Sequence, residues 1–215
     1  MKSAVNYKRL EHWIVAKQSH GKLWFNLNEL REHFRNDSET SLKQLLQRLT
    51  AQGKIVSVFK GFYVIVPPQY SSKGILPPVM FIDGLMHYLN RKYYLSLLNA
   101  AALHGASHQQ PQSYFVTTEY PVLRATNKKG IRINYISTKQ LPTDSLIEKR
   151  KTETGYIFVS NPILTAVDLI SFEKRIGGMN RAATVINELV EQITPRKIGE
   201  SLIGYAHVTS LQRLG

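Results

Sequence analysis

The chain has 215 residues, 43% apolar and 20% charged, which is enough for packed cores and long enough for two domains of ordinary size. It has no cysteine, which excludes disulfides and thiolate metal sites and fits a reducing cytosol. Lys and Arg number 28 against 15 Asp and Glu, a formal +13 that attracts polyanions. No run approaches the ~20 apolar residues of a membrane span, and charges interrupt the N-terminus where a signal peptide needs an apolar core, so a cytoplasmic protein is expected.

Residues 1–66 carry 11 basic and 5 acidic side chains. Apolar spacing predicts a first helix over roughly 4–18, with Tyr7, Leu10, Trp13 and Ile14 on one face. Residues 22–26 read as a short extended segment. A second helix turns Leu27, Leu30 and Phe34 inward and Asn28, Glu29, Arg31 and Glu32 outward. The turn Arg35-Asn36-Asp37-Ser38 supplies N-cap chemistry for a third helix, which repeats Leu42, Leu45, Leu46 and Leu49 and stops at Gly53. Two β-rich runs, 55–59 and 62–66, flank Lys60-Gly61, where glycine permits the positive φ of a tight hairpin.

Helix, short strand, helix, turn, helix and hairpin is the order of a winged helix-turn-helix. The third helix gives its leucines to the core and leaves Ser41, Lys43, Gln44, Gln47 and Arg48 outside. Gln and Arg make paired hydrogen bonds with base edges, and Lys neutralises phosphate. Lys60, at the hairpin tip, stands where a wing meets the backbone or minor groove of duplex DNA. These six are the candidate DNA contacts; the alternative is a solvated polar face.

Pro67, Pro68, Pro77 and Pro78, with Ser and Gly between them, predict a semi-extended linker and set the domains at 1–66, 67–78 and 79–215. Beyond it, Asp83 is placed to cap a short helix running to Asn90. Residues 93–104 are apolar almost all round and predict a buried helix closed by Gly105. Strand-like runs follow at 113–118, 131–137 and 155–160. Asn161-Pro162 opens a helix carrying Leu164, Val167 and Leu169, and Asn180 is placed to cap another with Val185, Ile186, Leu189, Val190 and Ile193. Thr194-Pro195 starts a last helical region, which reads as cut short at Leu211-Gln212-Arg213-Leu214-Gly215. The fold class is α+β.

The second domain is large enough to hold an enzyme. The only Asp residues are 37, 83, 144 and 168, too scattered for paired Mg²⁺. His104 and His108 have helical metal-ligand spacing, but Gly105 lies between them and no third ligand is evident. Glu148-Lys149-Arg150-Lys151, after Asp144, is loosely similar to the carboxylate-lysine cluster of restriction-type nucleases, yet Arg150 stands where such sites need Lys, and 148–151 reads as an exposed basic turn. No enzyme, cofactor or metal is expected. Residues 124–151 hold Arg124, Lys128, Lys129, Arg132, Lys139, Lys149, Arg150 and Lys151 against Asp144 and Glu148. They form a second polyanion-attracting surface if the strands gather them on one face, and solubilising basic loops otherwise.

Gly61-Phe62-Tyr63-Val64-Ile65, the proline stretch, the run from Tyr94 to Leu103-His104-Gly105, Pro111, and Tyr114-Phe115-Val116-Thr117-Thr118 resemble the AbiEi antitoxins over nearly the whole chain. Asn161-Pro162 with Ala166-Val167-Asp168-Leu169 resembles that family's Pro-Glu…Val-Asp-Leu segment, with Ile163 in place of the usual Glu. The resemblance implies a repressor whose winged helix binds repeats in its own promoter. It also implies a C-terminal domain that counters a nucleotidyltransferase-like AbiEii toxin in abortive phage infection. On the residues alone, a ligand-sensing winged-helix transcriptional regulator unrelated to a toxin stays open, as does a nuclease centred on 144–151.

Overall fold

A computed structural model describes residues 7–106, 113–193 and 199–214. The chain divides into two compact units, one of Met1–Asn90 with Thr126–Ile131 and Thr152–Gly155, the other of Arg91–Ala125, Arg132–Lys151 and Tyr156–Gly215.

The first ninety residues form α1 (Tyr7–Ser19), β1 (Trp24–Asn26), α2 (Leu27–His33), α3 (Glu39–Ala51), β2 (Ile55–Phe59), β3 (Phe62–Ile65) and α4 (Ile82–Tyr88). Two helix starts are capped by side chains. Asn26 Oδ1 accepts from Glu29 N at 2.9 Å, and Ser38 Oγ accepts from Ser41 N at 3.2 Å, each cap contributing about 1 kcal/mol. The strands make an antiparallel sheet in the order β1-β3-β2, with Val64 opposite both Trp24 and Val56. Leu10 and Ile14 of α1, Leu30 of α2, Leu42, Leu46 and Leu49 of α3, and Phe25, Ile55 and Ile65 of the sheet meet in one core. Gly61 takes φ 76°, and its carbonyl accepts from Leu27 N at 2.8 Å, which ties the hairpin turn to the start of α2.

Residues 67–78, expected as a semi-extended linker, run through a 3-10 turn at Pro68–Tyr70 into a second at Pro78–Met80 and bury Pro67, Ile75, Leu76 and Pro78. The prolines end regular elements but still lay apolar side chains into a core. This compact unit continues through Asn90. Trp24 stacks on Phe62 at 5.2 Å, Phe62 meets Tyr88 at 5.6 Å, and Tyr88 donates to the Lys60 carbonyl at 3.2 Å. Gly84 lies so close to the Trp24 indole that a Cβ would stand inside the ring's van der Waals envelope. Phe81, not Asp83, occupies the N-cap of α4; Asp83 lies in its first turn.

The remaining elements are β4 (Tyr93–Leu95), α5 (Leu97–Leu103), β5 (Ser113–Glu119), β6 (Thr126–Lys128), β7 (Ile131–Thr138), β8 (Ile147–Thr152), β9 (Gly155–Ser160), α6 (Pro162–Ser171), α7 (Glu173–Ile176), α8 (Met179–Leu189), α9 (Glu200–Tyr205) and α10 (Val208–Leu214). The six strands follow the order β6-β7-β5-β4-β9-β8. Leu95 of β4 faces Val116 of antiparallel β5 and Val159 of parallel β9, and β5 runs parallel to β7. The buried helix α6 packs against α5, α8 and α10.

Residues 93–95 are a strand and only 97–103 a helix, because a run buried on every side has the same composition in either state. Residues 148–151 lie on β8 and not in a turn. Helix α8 starts at Met179 behind Gly178, so Asn180 lies inside it. His108, Pro111 and Thr194-Pro195 fall outside the described residues. Among the described residues no helix is long and apolar enough to cross a membrane.

The Trp24–Gly84 contact yields a test. Gly84→Ala is expected to lower stability by roughly 1–3 kcal/mol through overpacking, read by urea unfolding, and Trp24→Phe in the same chain should return part of the loss. Equal stability of Gly84→Ala and the parent would mean that α4 does not press on β1.

Candidate functional site

The third helix is rotated by its leucines. With Leu42, Leu46 and Leu49 buried, the 100° step between residues directs Thr40, Lys43, Gln47 and Thr50 toward the β2–β3 hairpin. Ser41, Gln44 and Arg48 fall on the opposite flank. Between α3 and the hairpin lies a groove of about 850 Å³, whose polar lining includes Arg31, Glu39, Lys43, Gln47, Lys60 and Tyr63.

Of the six residues singled out in the sequence, Lys43, Gln47 and Lys60 therefore converge on this groove. Gln44 is exposed on the other flank, Ser41 is half-buried at the helix start, and the Arg48 guanidinium stacks over the Tyr7 ring at 4.4 Å. Sequence reading missed Arg31, Thr40, Thr50, Ser57 and Tyr63 as lining residues. Arg31 was legible as an outward position of α2, but its nearness to α3 depends on how the two helices pack.

The cations differ in what holds them. Arg31 and Glu39 form a two-point ion pair, Nε to Oε1 at 2.7 Å and Nη2 to Oε2 at 2.9 Å, which raises the guanidinium pKa. Burial alone would push the Glu29 carboxyl up, yet the Lys17 and Lys22 ammonium groups hold it below its usual range. Lys54 donates to Glu11 and Tyr7; the Glu11 contact raises the ammonium pKa and lowers that of the carboxyl. The groove combines one anion already paired to Arg31 with the ammonium groups of Lys43 and Lys60, and burial pushes the Tyr63 phenol pKa further up. Such a surface offers cations and amide donors to a polyanion.

In the second unit the buried polar groups hold the fold. His104 is 3% exposed. Arg150 Nη2 lies 2.7 Å from His104 Nδ1, and His104 Nε2 lies 2.7 Å from the Ser160 carbonyl. Guanidinium can only donate, so Nδ1 accepts, Nε2 carries the proton, and the imidazole is neutral. Arg150 also donates to the Leu103 carbonyl at 3.0 Å and to Glu148 at 3.2 Å. Asn99 accepts from Phe115 N at 2.8 Å, and Asn161 caps α6 by accepting from Leu164 N at 2.9 Å.

Of the seven residues expected as a second basic surface, Lys128 and Lys129 fall in the first unit, and Arg124, Arg132, Lys149, Arg150 and Lys151 in the second. Arg124 is exposed in the loop before β6, Arg132 is exposed on β7, and Arg150 turns to His104. Among the described residues no three His, Asp or Glu side chains are grouped to hold a metal ion.

Fold and site define a two-unit α+β protein with a basic groove between a helix and a hairpin in the first unit, and with buried Asn99, His104 and Asn161 held by hydrogen bonds in the second. Residues 94–215 match the family model described as the AbiEi antitoxin C-terminal domain. The chain belongs to the AbiEi antitoxin family, a regulatory, non-enzymatic kind of protein from toxin–antitoxin systems. No curated protein sequence matches it.

Asp168, in the matched region, is buried on α6, hydrogen-bonded by Tyr94, with Oδ2 lacking a partner. Burial pushes its carboxyl up to about 7, against the Tyr94 hydrogen bond, which lowers it. Between the ordinary carboxylate value of 3.8 and about 7 the folded chain holds a proton that the unfolded chain has released. Stability therefore falls as pH rises through that window. Asp168→Asn keeps the shape and removes the titration. The variant is expected to gain on the parent between about pH 4 and pH 8, by on the order of 4 kcal/mol at most. Urea unfolding across that range measures it, and parallel curves would mean that Asp168 is ionised in the fold.

Proposed function

We propose that this antitoxin is also a transcriptional repressor. Its first unit is a winged helix-turn-helix, with α3 as recognition helix and the β2–β3 hairpin as wing, and it binds duplex DNA upstream of its own gene in the cytoplasm. The observation that carries this reading is the convergence of Lys43 and Gln47 on α3 with Lys60 at the hairpin turn, around one groove beside Arg31. Lys43, Lys60 and Arg31 meet phosphates, and Gln47, exposed on the groove side of α3, meets a base edge in the major groove. Arg48 and Gln44 extend the contact along the other flank, with Arg48 leaning on Tyr7.

The second unit counteracts a nucleotidyltransferase-like toxin, in the setting of abortive infection. Support for this part is membership of the antitoxin family over 94–215. A ligand-sensing regulator would lack this effect. Growth of cells expressing the neighbouring toxin gene, with and without this chain, separates the two, and absence of rescue would leave only the DNA-binding reading.

Mobility shifts on the gene's own upstream duplex test the first part. Lys43→Ala and Lys60→Ala should each weaken binding to every duplex and lower the slope of log affinity against log salt by about one. Gln47→Ala should cost about 1–3 kcal/mol on the specific site and relax sequence choice there. Unchanged binding in the Lys43→Ala/Lys60→Ala chain would remove the groove from the interface.

A further inference from the structure

The β8–β9 hairpin carries a surface that the repressor reading does not use. On β9 the burial alternates: Ile157 and Val159 are inside, whereas Tyr156 is 50% and Phe158 39% exposed. On β8, Lys149 and Lys151 are exposed, while Glu148 and Arg150, which alternate with them, turn to each other, with Arg150 reaching His104. Lys149 Nζ stands 4.5 Å from the centroid of the Tyr156 ring, which puts lysines and rings on the same outward face. Phe158 meets Tyr93 edge-on at 5.8 Å, a contact that fixes its ring.

We propose that this face binds single-stranded nucleic acid, stacking unpaired bases on Tyr156 and Phe158 while Lys149 and Lys151 hold the backbone. The plain account of the lysines is edge protection, since β8 ends the strand order and charge deters further pairing. That account does not reach β9, which is an inner strand and needs no guard, yet leaves two large rings in water. Rings two residues apart on one strand lie about 6.6 Å from each other, within one extended nucleotide step. A base offers a flat stacking partner, which neither ring has among the described residues, and its phosphates offer a counter-charge to Lys149 and Lys151. Lys149 has a flexible stem and can swing from the Tyr156 ring to a phosphate as a base arrives. A duplex hides its base faces, so the ligand is unpaired. An acidic protein would engage the lysines and leave the rings unused, so the observations favour nucleic acid.

The test uses the full chain and fluorescein-labelled twelve-nucleotide oligo(U) and oligo(dT), read by anisotropy at low salt. Tyr156→Ala and Phe158→Ala should each weaken binding about tenfold, and Tyr156→Phe should bind like the parent. Lys149→Ala/Lys151→Ala should bind more weakly with a shallower salt dependence. Lys43→Ala/Gln47→Ala, which is aimed at duplex binding by the first unit, should leave single-strand binding unchanged. This variant keeps failure of the repressor reading distinguishable from failure of this one. Crosslinking of a 5-iodouracil oligonucleotide to the unaltered chain should map to Tyr156 or Phe158, so the proposal stands or falls even if an alanine variant misfolds. A preference for oligo(U) would identify RNA as the ligand, a preference for oligo(dT) would identify DNA, and equal binding would support a site that reads bases alone. The proposal is overturned by no binding, by crosslinks elsewhere, or by a Tyr156→Leu/Phe158→Leu chain that binds like the parent. Loss on lysine removal alone would point to an acidic protein surface and would equally overturn it.

Discussion

Burial of Leu42, Leu46 and Leu49 fixes the rotation of α3 about its axis, and the basic groove takes its direction from that rotation. Each buried leucine contributes roughly 1.5–3 kcal/mol, whereas an exposed ion pair contributes about 0–1 kcal/mol. The apolar side therefore decides where the polar side faces, and the reverse is not possible. Ser38 sets where the helix begins, so Lys43 and Gln47 fall one and two turns in. The hairpin is held just as indirectly. Lys60 reaches the groove because the Gly61 carbonyl is tied to Leu27 N and the Lys60 carbonyl to Tyr88. A side chain at Gly61 would need an unfavourable left-handed backbone, and its Cβ would lie 2.6 Å from the Tyr88 hydroxyl.

The second unit is organised by a different constraint. Its inner strand β4 pairs on both edges, with β5 and β9, and the chain leaves the sheet for α5 within a residue of Leu95. Leu97 makes that turn at φ 54°, an uncommon conformation for a branched apolar residue, and is fully buried. Around this point polar side chains do what backbone pairing cannot. Thr117 donates to Ser96 at 2.9 Å, Asn99 accepts from Phe115 N, and His104 joins Ser160 to Arg150. A buried unpaired donor or acceptor costs about 1–3 kcal/mol, so this set rigidifies the unit only because its members are paired. Asp168 Oδ2 is one departure, and protonation of that carboxyl removes the charge that burial disfavours.

What was legible in the sequence follows from which signals are local. Asn26, Ser38 and Asn161 act within three residues of themselves, and all three cap the helices where the pattern placed helix starts or turns. The Lys60-Gly61 turn and the leucine repeat of α3 are local in the same sense. Residues 93–95 were misread because a strand buried on both faces shows no alternation. The linker expected at 67–78 was misread because proline marks the end of regular structure and is silent on burial; Ile75 and Leu76 carried that information. Strand β8 was hidden by four charged residues in a row, whose alternation between solvent and the His104 contact exists only after folding. For the groove, the outward residues of α3 were readable but their division into two flanks was not. Arg48 stacks on Tyr7, forty-one positions earlier, and no spacing rule within α3 predicts it.

Net charge shows the same gap between sequence and surface. The formal +13 counts Lys17 and Lys22, which close on Glu29, Lys54, which closes on Glu11, and Arg150, which is anchored to Glu148 and His104. Attraction for a polyanion resides in cations that a rigid base holds outward, and Lys43 and Lys60 have such bases in α3 and the hairpin. Arg31 is the intermediate case. Its partner Glu39 is well exposed, with 64% of the side chain open to solvent. An exposed pair of that kind is weak and screened by salt. On the proposed DNA-binding reading, a phosphate entering the groove would form charge-assisted bonds of the same two-point geometry with the guanidinium. Glu39 would then turn to water while still favouring the N-terminus of α3. The pair would thus hold the Arg31 fork in the orientation a phosphate needs, at little cost when the phosphate replaces it.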